Sequence, residues 1–201
     1  MRGAVFLDRD GTVNEELGYI NHIDRFRMFP YAAPAIRRLN QAAIPVVLIT
    51  NQAGVAMGYF PEELVKDIHD RLERELASAG ARLDAIYYCP HHPNATVTEY
   101  RLDCECRKPS PGMLERAAVA LDLDLKSSYV IGDRFRDIET AIRVGAKGVL
   151  VLSGYGKGEY LYQSEGWSRM PDHIAEDLHA AVNWVLQDVQ QRKAGLLQQA
   201  D

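Results

Sequence analysis

An apolar run that ends in two closely spaced acids constrains this chain more than any other stretch. Residues 4–7 (AVFL) are followed by Asp8, Asp10 and Gly11. Such a short apolar run predicts a strand buried on both faces, with the acids at its carboxyl end. Ligands bind at that edge of an open α/β sheet, so the pair indicates a chemical site. An Asx turn that only closes the strand is the competing interpretation of this stretch taken alone.

Strand-like and helix-like segments alternate along the rest of the chain. Apolar runs predict further strands at residues 45–50, 85–88, 129–133 and 148–152. Helical spacing of apolar residues predicts helices at residues 34–42, 61–80, 112–121, 138–144 and 175–191. This alternation predicts an α/β fold: a doubly wound, Rossmann-like parallel sheet with helices on both faces, in a single domain of residues 1–201.

Composition argues against several kinds of partner. The net charge of -5 and the isoelectric point near 5.7 disfavour nucleic acid and anionic membranes. The first residues do not resemble a signal peptide, and no apolar run approaches the roughly 20 residues of a membrane-spanning helix. We therefore expect a cytoplasmic protein with no nucleic-acid or membrane partner, as a monomer or a weak homo-oligomer.

Three of the predicted strands end in polar residues. Asp8 and Asp10 follow the first strand, Thr50 and Asn51 end the second, and Asp133 ends the fourth. Because the carboxyl ends of parallel strands share one edge of the sheet, we expect these side chains to meet in one pocket.

Four short motifs, in this order, resemble those of the haloacid-dehalogenase phosphatase superfamily. They are DRDGT at residues 8–12, TNQ at 50–52, RKP at 107–109 and GDRFRD at 132–137. Three further stretches are similar to two of its families, the D-glycero-D-manno-heptose 1,7-bisphosphate phosphatases and the histidinol-phosphate phosphatases. These stretches are NQAGV at residues 51–55, CPHHP at 89–93 and CECRKP at 104–109.

The resemblance implies a phosphatase that removes the 7-phosphate of the heptose bisphosphate during synthesis of lipopolysaccharide or surface-glycan precursors. Histidinol phosphate remains the alternative substrate. A receiver-like phospho-acceptor or scaffold is the non-enzymatic alternative, although such a domain needs neither an acid two residues after its nucleophile nor a metal-stapled loop. Met57 stands where family members commonly have arginine, which leaves the exact sugar and its anomer open.

Each acid has a predicted role in phosphoryl transfer. Asp8 is the candidate nucleophile, which forms an aspartyl phosphate, and Asp10 is the candidate general acid and base. Asp8 and Asp133 would supply carboxylates to Mg²⁺, and the family pattern adds the backbone carbonyl of Asp10. Asp137, one helical turn beyond Asp133, would act on the metal indirectly or through a water. It is otherwise an ordinary acid in the first turn of a helix.

Phosphate ligands are predicted at two further motifs. Thr50 and Asn51 offer a hydroxyl, an amide and backbone N–H groups, although an ordinary strand cap is the competing interpretation of this motif taken alone. Lys108 would hold the phosphate and the nucleophile together, and Arg107 can bind a phosphate bidentately, including a second, non-reacting one. A solvated surface pair is the other interpretation of Arg107 and Lys108.

The cysteines predict a structural zinc site in a loop at residues 89–106. Three thiolates and an imidazole, arranged as two pairs of ligands that are each two positions apart, are typical of a tetrahedral zinc site. The metal would fix Arg107 and Lys108 at the pocket. His92 is the rival of one predicted ligand, His91. The predicted ligands are Cys89, His91, Cys104 and Cys106.

No stretch is left for a separate cap domain. The first connection holds a predicted flap at residues 14–30 and one helix, and the zinc loop fills the second insertion point of the family. We therefore expect an open pocket, with selectivity from the flap (residues 14–29), the loop at 54–60 and the zinc loop. Residues 153–171 are predicted to form a surface loop.

Overall fold

A single parallel sheet organises the molecule, for which the computed structural model describes residues 2–198. Its strands lie in the order β3-β2-β1-β4-β5-β6, so β1 is central and pairs with both β2 and β4. The strands are β1 (Val5–Leu7), β2 (Val46–Asn51), β3 (Ala85–Cys89), β4 (Tyr129–Gly132), β5 (Lys147–Val151) and β6 (His173–Ala175).

Helices cover both faces of the sheet. Alternate residues of a strand point to opposite faces, and in β1 the residues on both faces are apolar and buried. Val5 and Leu7 pack in a cluster with the helices at residues 32–41, 62–78 and 178–198, whereas Phe6 packs in a second cluster with the helices at 112–121 and 135–144. The predicted doubly wound fold is thereby confirmed. The helices are α1 (Ala32–Gln41), α2 (Ala53–Ala56), α3 (Glu62–Ser78), α4 (Gly112–Leu121), α5 (Phe135–Val144), α6 (Gly156–Gln163) and α7 (Leu178–Gln198).

Two segments differ from the sequence-based expectation. The predicted helix at residues 175–191 begins only at Leu178, because His173–Ala175 pairs with β5 as a sixth strand. Residues 153–171, predicted as a surface loop, contain α6 and the 3-10 turn Ser164–Gly166.

The connections that could carry a cap domain are short. Residues 8–31, between β1 and α1, contain the 3-10 turn Ile23–Arg25, and residues 90–111, between β3 and α4, contain the turn Thr98–Tyr100. Neither connection forms a separate domain, as the sequence predicts. Among the described residues, no helix is long and apolar enough to cross a bilayer.

Candidate active site

Three carboxylates meet where β1 and β4 end. One oxygen each of Asp8, Asp133 and Asp137 lies within 4.8 Å of the others, and all three residues are buried. Asp8 follows β1, Asp133 follows β4 and Asp137 lies in the first turn of α5. The common sheet edge thus brings these predicted site residues together.

Lys108 lies in the middle of this acidic cluster. Its Nζ is 2.8 Å from Asp8 Oδ1 and 2.7 Å from Asp137 Oδ1, and it donates a 3.0 Å hydrogen bond to the carbonyl of Ile49. Burial would lower the pKa of Lys108, but the charges of Asp137 and Asp8 outweigh it and raise that pKa. The ammonium is therefore charged, and it fixes the orientation of both carboxylates.

Asp137 lies in the first turn of a helix, as one interpretation of its position suggested, and it also contacts Lys108. Its Oδ1 pairs with Lys108, whereas its Oδ2 accepts a 3.2 Å hydrogen bond from the backbone N–H of Arg134 at the start of α5. A side chain on Gly132 would collide with the Asp137 carboxylate, so glycine is required where β4 ends. Asp137 is a helix cap that also holds the lysine.

The cluster carries more negative than positive charge, which fits a bound divalent cation. Burial, together with the charges of Asp8 and Asp137, raises the pKa of Asp133 to about 9. Asp133 Oδ1 is buried and has no hydrogen-bond partner in the described part of the chain. Three carboxylates facing one ammonium leave the charge and the hard oxygen ligands that Mg²⁺ prefers.

Asp8 is held by one of its two oxygens. Its Oδ1 accepts from Lys108 Nζ and, at 2.7 Å, from the backbone N–H of Arg9. Burial raises the pKa of Asp8 to about 6, although Lys108 opposes the shift. Both of these contacts go to Oδ1, so they leave Oδ2 available for a further interaction.

Asp10 has a different environment from Asp8. Its carboxylate accepts hydrogen bonds from Arg9 (2.9 Å), Asn14 (2.9 Å) and Gln52 (2.8 Å). Burial would raise the pKa of Asp10, but the charge of Arg9 and these hydrogen bonds lower it below its usual value. The two predicted catalytic acids are therefore distinguished by their partners.

The second predicted motif, Thr50 with Asn51, borders the same cavity. The amide of Asn51 forms two 3.0 Å hydrogen bonds with the backbone N–H and carbonyl of Lys108, so it positions the lysine and keeps one N–H free. The Thr50 hydroxyl accepts from Gln52 at 2.8 Å and can still donate.

The cavity above the acids has a volume of about 300 Å³. Flap residues 16 and 18–20 form one wall, and basic side chains from the Cys/His loop and α5 form another. Arg107 donates a 3.1 Å hydrogen bond to the carbonyl of His91, which ties its guanidinium to that loop. The basic residues of this wall are His92, Arg107, Arg134 and Arg136.

The start of the segment at 153–171 also borders the site. The backbone N–H of Tyr155 donates to Asp133 Oδ2 at 2.8 Å, and the Ser153 hydroxyl donates to the carbonyl of Gly11 at 2.6 Å. A side chain on Gly154 would collide with Asp133. The prediction of a mere surface loop is therefore wrong, because this backbone closes around a carboxylate of the site.

A second cluster lies at the base of the loop at 89–106. Its cysteine sulfurs are 3.1–3.4 Å apart, and His91 Nδ1 lies 3.4 Å from Cys106 Sγ. These separations are close to the ~3.8 Å between thiolates around a tetrahedral zinc ion with ~2.3 Å bonds. His92 borders the active-site cavity instead. The residues that could hold a metal ion are Cys89, His91, Cys104 and Cys106.

The sheet order and the acid–lysine cluster define a hydrolase of the haloacid-dehalogenase class. In agreement, the family model described as "HAD-hyrolase-like" matches residues 105–181. A protein of Thermosynechococcus vestitus named D-glycero-D-manno-heptose-1,7-bisphosphate 7-phosphatase is 44% identical over 192 residues, covering 92% of this chain and 95% of that protein. The chain therefore belongs to the family of D-glycero-D-manno-heptose-1,7-bisphosphate 7-phosphatases.

Further relatives agree with this assignment. The D-glycero-beta-D-manno-heptose-1,7-bisphosphate 7-phosphatase of Escherichia coli K12 is 43% identical over 153 residues, or 75% of this chain and 80% of that protein. A crystal structure of D,D-heptose 1.7-bisphosphate phosphatase from B. bronchiseptica, complexed with magnesium and phosphate, superposes with a TM-score of 0.82. It is 36% identical and covers 94% of this chain and 99% of that one. The predicted superfamily and family are confirmed.

Several residues in or next to the candidate site were not found from the sequence. Gln52 and Arg136 lie inside the sequence motifs, but the spacing of residues in a motif does not show which side chains face the cavity. Arg9 and His69 contact each other although they are far apart in the sequence, so only the tertiary structure shows the pair. Glu16 also borders the cavity, and burial raises its pKa to about 7, with Asp10 adding to the shift.

Proposed function

We propose that this phosphatase removes the 7-phosphate of D-glycero-D-manno-heptose 1,7-bisphosphate through a covalent phosphate on Asp8. The observation that carries the proposal is the buried cluster of Asp8, Lys108 and Asp133, which lines a cavity with basic residues. The relatives named for this substrate, at 43–44% identity, support the choice of sugar.

Mg²⁺ fits the acidic cluster, and the B. bronchiseptica structure holds magnesium and phosphate. Asp8, Asp133 and the backbone carbonyl of Asp10 would hold the ion, with Asp137 acting behind them through Lys108. When bound, the ion neutralises the acids and the phosphate oxygens, which favours attack by a carboxylate on an anionic phosphate.

The acids divide the chemistry between them. Asp8 Oδ2 attacks phosphorus, and the bond between phosphorus and the sugar oxygen breaks as Asp10 gives its proton to that oxygen. Water then attacks the aspartyl phosphate, Asp10 takes up a proton from that water, and inorganic phosphate leaves with Asp8 restored. Asp10 must therefore be protonated for the first step, although its free carboxylate is stabilised by Arg9.

The remaining site residues orient the phosphate. Lys108 holds Asp8 in place and offers a fixed positive charge next to the transferred group. Thr50 can donate its hydroxyl and Asn51 its free N–H to phosphate oxygens. Each contact strengthens when negative charge builds up during transfer, which is why buried donors at this position accelerate the reaction.

The basic wall of the cavity suits a second phosphate. Arg107 and Arg136 lie on this wall, and burial together with their charges lowers the pKa of His92. The guanidiniums of this wall are suited to bidentate binding of an anion. A bisphosphate would place its reacting phosphate at Asp8 and its other phosphate against this wall.

A phosphate-release screen tests the substrate. The compounds are both anomers of the heptose bisphosphate, the heptose 7-phosphate and histidinol phosphate, each assayed with Mg²⁺ and with chelator. We expect the highest kcat/KM for a bisphosphate anomer and no turnover in chelator. A higher kcat/KM for histidinol phosphate would overturn the assignment of the sugar while leaving the chemistry at Asp8 intact.

We further propose that the Cys/His cluster holds a structural zinc ion. Four side chains from residues 89–106 converge within 4.8 Å, and the carbonyl of His91 directly holds Arg107. A closed set of four ligands leaves no position for substrate, so the role is structural. The ion would join a loop with little apolar core of its own to the edge of the active site.

Replacement of Cys104 by serine is expected to reduce bound zinc from one ion per chain to almost none. The melting temperature falls with it, because metal binding stabilises only the folded loop. Elemental analysis and thermal melts measure both quantities. His91→Ala should behave likewise, whereas His92→Ala should keep the zinc. Wild-type protein purified without zinc, or zinc lost equally from both histidine variants, would contradict this ligand set.

A further inference from the structure

Arg9 is a charged side chain buried almost completely behind the active site, with 1% of its surface exposed. Two of its guanidinium nitrogens, Nε and Nη2, donate to the Asp10 carboxylate at 2.9–3.2 Å. The third nitrogen, Nη1, lies 3.2 Å from Nε2 of His69. The guanidinium plane is therefore fixed between one carboxylate and one imidazole.

His69 belongs to the rigid part of the molecule. It lies in α3, whose buried face also includes Ile68 and Leu72, and it is itself buried. Its ring packs against Tyr88 of β3 with the ring centroids 5.6 Å apart. The contact with Arg9 thus connects the turn that carries Asp10 to a helix of the core.

We propose that His69 is a positioning residue for proton transfer, since it orients the guanidinium of Arg9 and Arg9 in turn orients the carboxylate of Asp10. The inference rests on the acid–base role of Asp10 in the proposed function. It names a residue outside the four motifs, 60 positions from its partner along the chain.

The chemistry of the contact requires a neutral imidazole. Arginine can only donate hydrogen bonds, so Nε2 of His69 must accept and the ring proton must be on Nδ1. Burial and the charge of Arg9 lower the pKa of His69 to about 3, which keeps the ring neutral. Without this acceptor, the buried guanidinium loses one partner and is held less firmly against Asp10, whose carboxylate then depends more on Asn14 and Gln52 for its orientation.

Two substrates separate positioning of the acid from general damage. The heptose bisphosphate has an alkoxide leaving group that needs a proton, whereas p-nitrophenyl phosphate has a leaving group that does not. The informative quantity is kcat/KM for the heptose bisphosphate divided by kcat/KM for p-nitrophenyl phosphate. This ratio reports proton donation to the leaving group, because kcat/KM includes only the steps up to the first irreversible one. The variants are His69→Phe, which keeps a ring without an acceptor, His69→Gln, which keeps an acceptor at the reach of Nε2, and Asp10→Asn.

We expect His69→Phe to lower this ratio about 10- to 100-fold, the usual effect of removing an outer-shell hydrogen bond. His69→Gln should restore it to within a few-fold of wild type, and His69→Phe added to Asp10→Asn should lower it no further. If His69→Phe folds poorly, the shorter His69→Asn, whose amide falls short of Arg9, replaces it. An equal loss on both substrates, or no loss, would overturn the inference.

The same data distinguish this inference from the function on which it rests. A reduced ratio in Asp10→Asn with an unchanged ratio in His69→Phe overturns the role of His69 alone. An unchanged ratio in Asp10→Asn overturns the assignment of Asp10 as the acid, and the role of His69 with it.

Discussion

Replacement of Asp8 by asparagine is expected to abolish phosphate release, with kcat lowered about 10⁴-fold or more, because the nucleophile is lost. The fold should remain intact. Asparagine keeps the Oδ1 that accepts from Lys108 and from the backbone of Arg9. Removing one of several crowded carboxylates should leave the melting temperature unchanged or raise it. Steady-state assays with Mg²⁺ and thermal melts without the ion measure both effects.

Asp24→Asn is the matched control for the same chemical change. Asp24 lies in the flap and its side chain is 81% exposed, so activity and stability should both stay at the wild-type level. Residual activity of Asp8→Asn within about 100-fold of wild type would place the nucleophile elsewhere.

Replacement of Lys108 by methionine is expected to lower both activity and stability. Methionine fills the space of the aliphatic stem but leaves Asp8 and Asp137 buried without their common partner. Breaking a buried ion pair in this way costs about 3–5 kcal/mol, and a chain of this size loses about 2–4 °C of melting temperature per kcal/mol. Loss of the positive charge beside the phosphate should lower kcat about 10²- to 10³-fold.

Lys147→Met provides the comparison for a less buried pair. Lys147 is 2.7 Å from Asp188, but 31% of its side chain is exposed, so the loss should stay within about 1 kcal/mol and activity should not change. Equal destabilisation by the two substitutions would show that Lys108 is not held as the structure has it. Mg²⁺ should recover part of the stability of Lys108→Met, because the ion compensates the same carboxylates.

The sequence predicted most of the sheet because its strands are buried on both faces. Continuous apolar runs such as residues 46–49 (VVLI) leave little choice but a buried strand. The edge strand β6 has three residues and begins with a histidine, so no run marks it. Helix α6 was missed because its segment is rich in glycine and aromatic residues, without the spacing that marks an amphipathic helix.

The sequence predicted those site residues whose position directly after a strand is enough to place them at the site. Asp8 and Asp133 follow strands, so the parallel sheet alone brings them to one edge. Lys108 comes from a distant loop, and its part in the cluster followed from the resemblance rather than from spacing. His69 was not predicted, because a single polar residue beside the apolar face of α3 looks like an ordinary helix residue. Side-chain direction, which sequence patterns do not encode, decides all such contacts.

The two neighbouring acids have different surroundings, which shift their pKa values in opposite directions. Asp8 lies among like charges and faces the cavity, which suits a nucleophile that works beside a cation. Asp10 lies only two residues further on, yet its carboxylate accepts hydrogen bonds from Arg9 and Gln52. Different partners, rather than distance, thus distinguish the two acids, which agrees with the separate roles that we propose for them.

Direct detection of phosphate on Asp8 is the sharpest test of this mechanism. Wild-type enzyme is mixed with the heptose bisphosphate and Mg²⁺, quenched in acid within the first turnover, and digested for mass spectrometry. We expect one phosphoryl group on Asp8 in the peptide that contains it, and none in Asp8→Asn treated in the same way. Phosphate released within the first turnover without a modified Asp8, or with the modification on another residue, would contradict a covalent phosphate at this position.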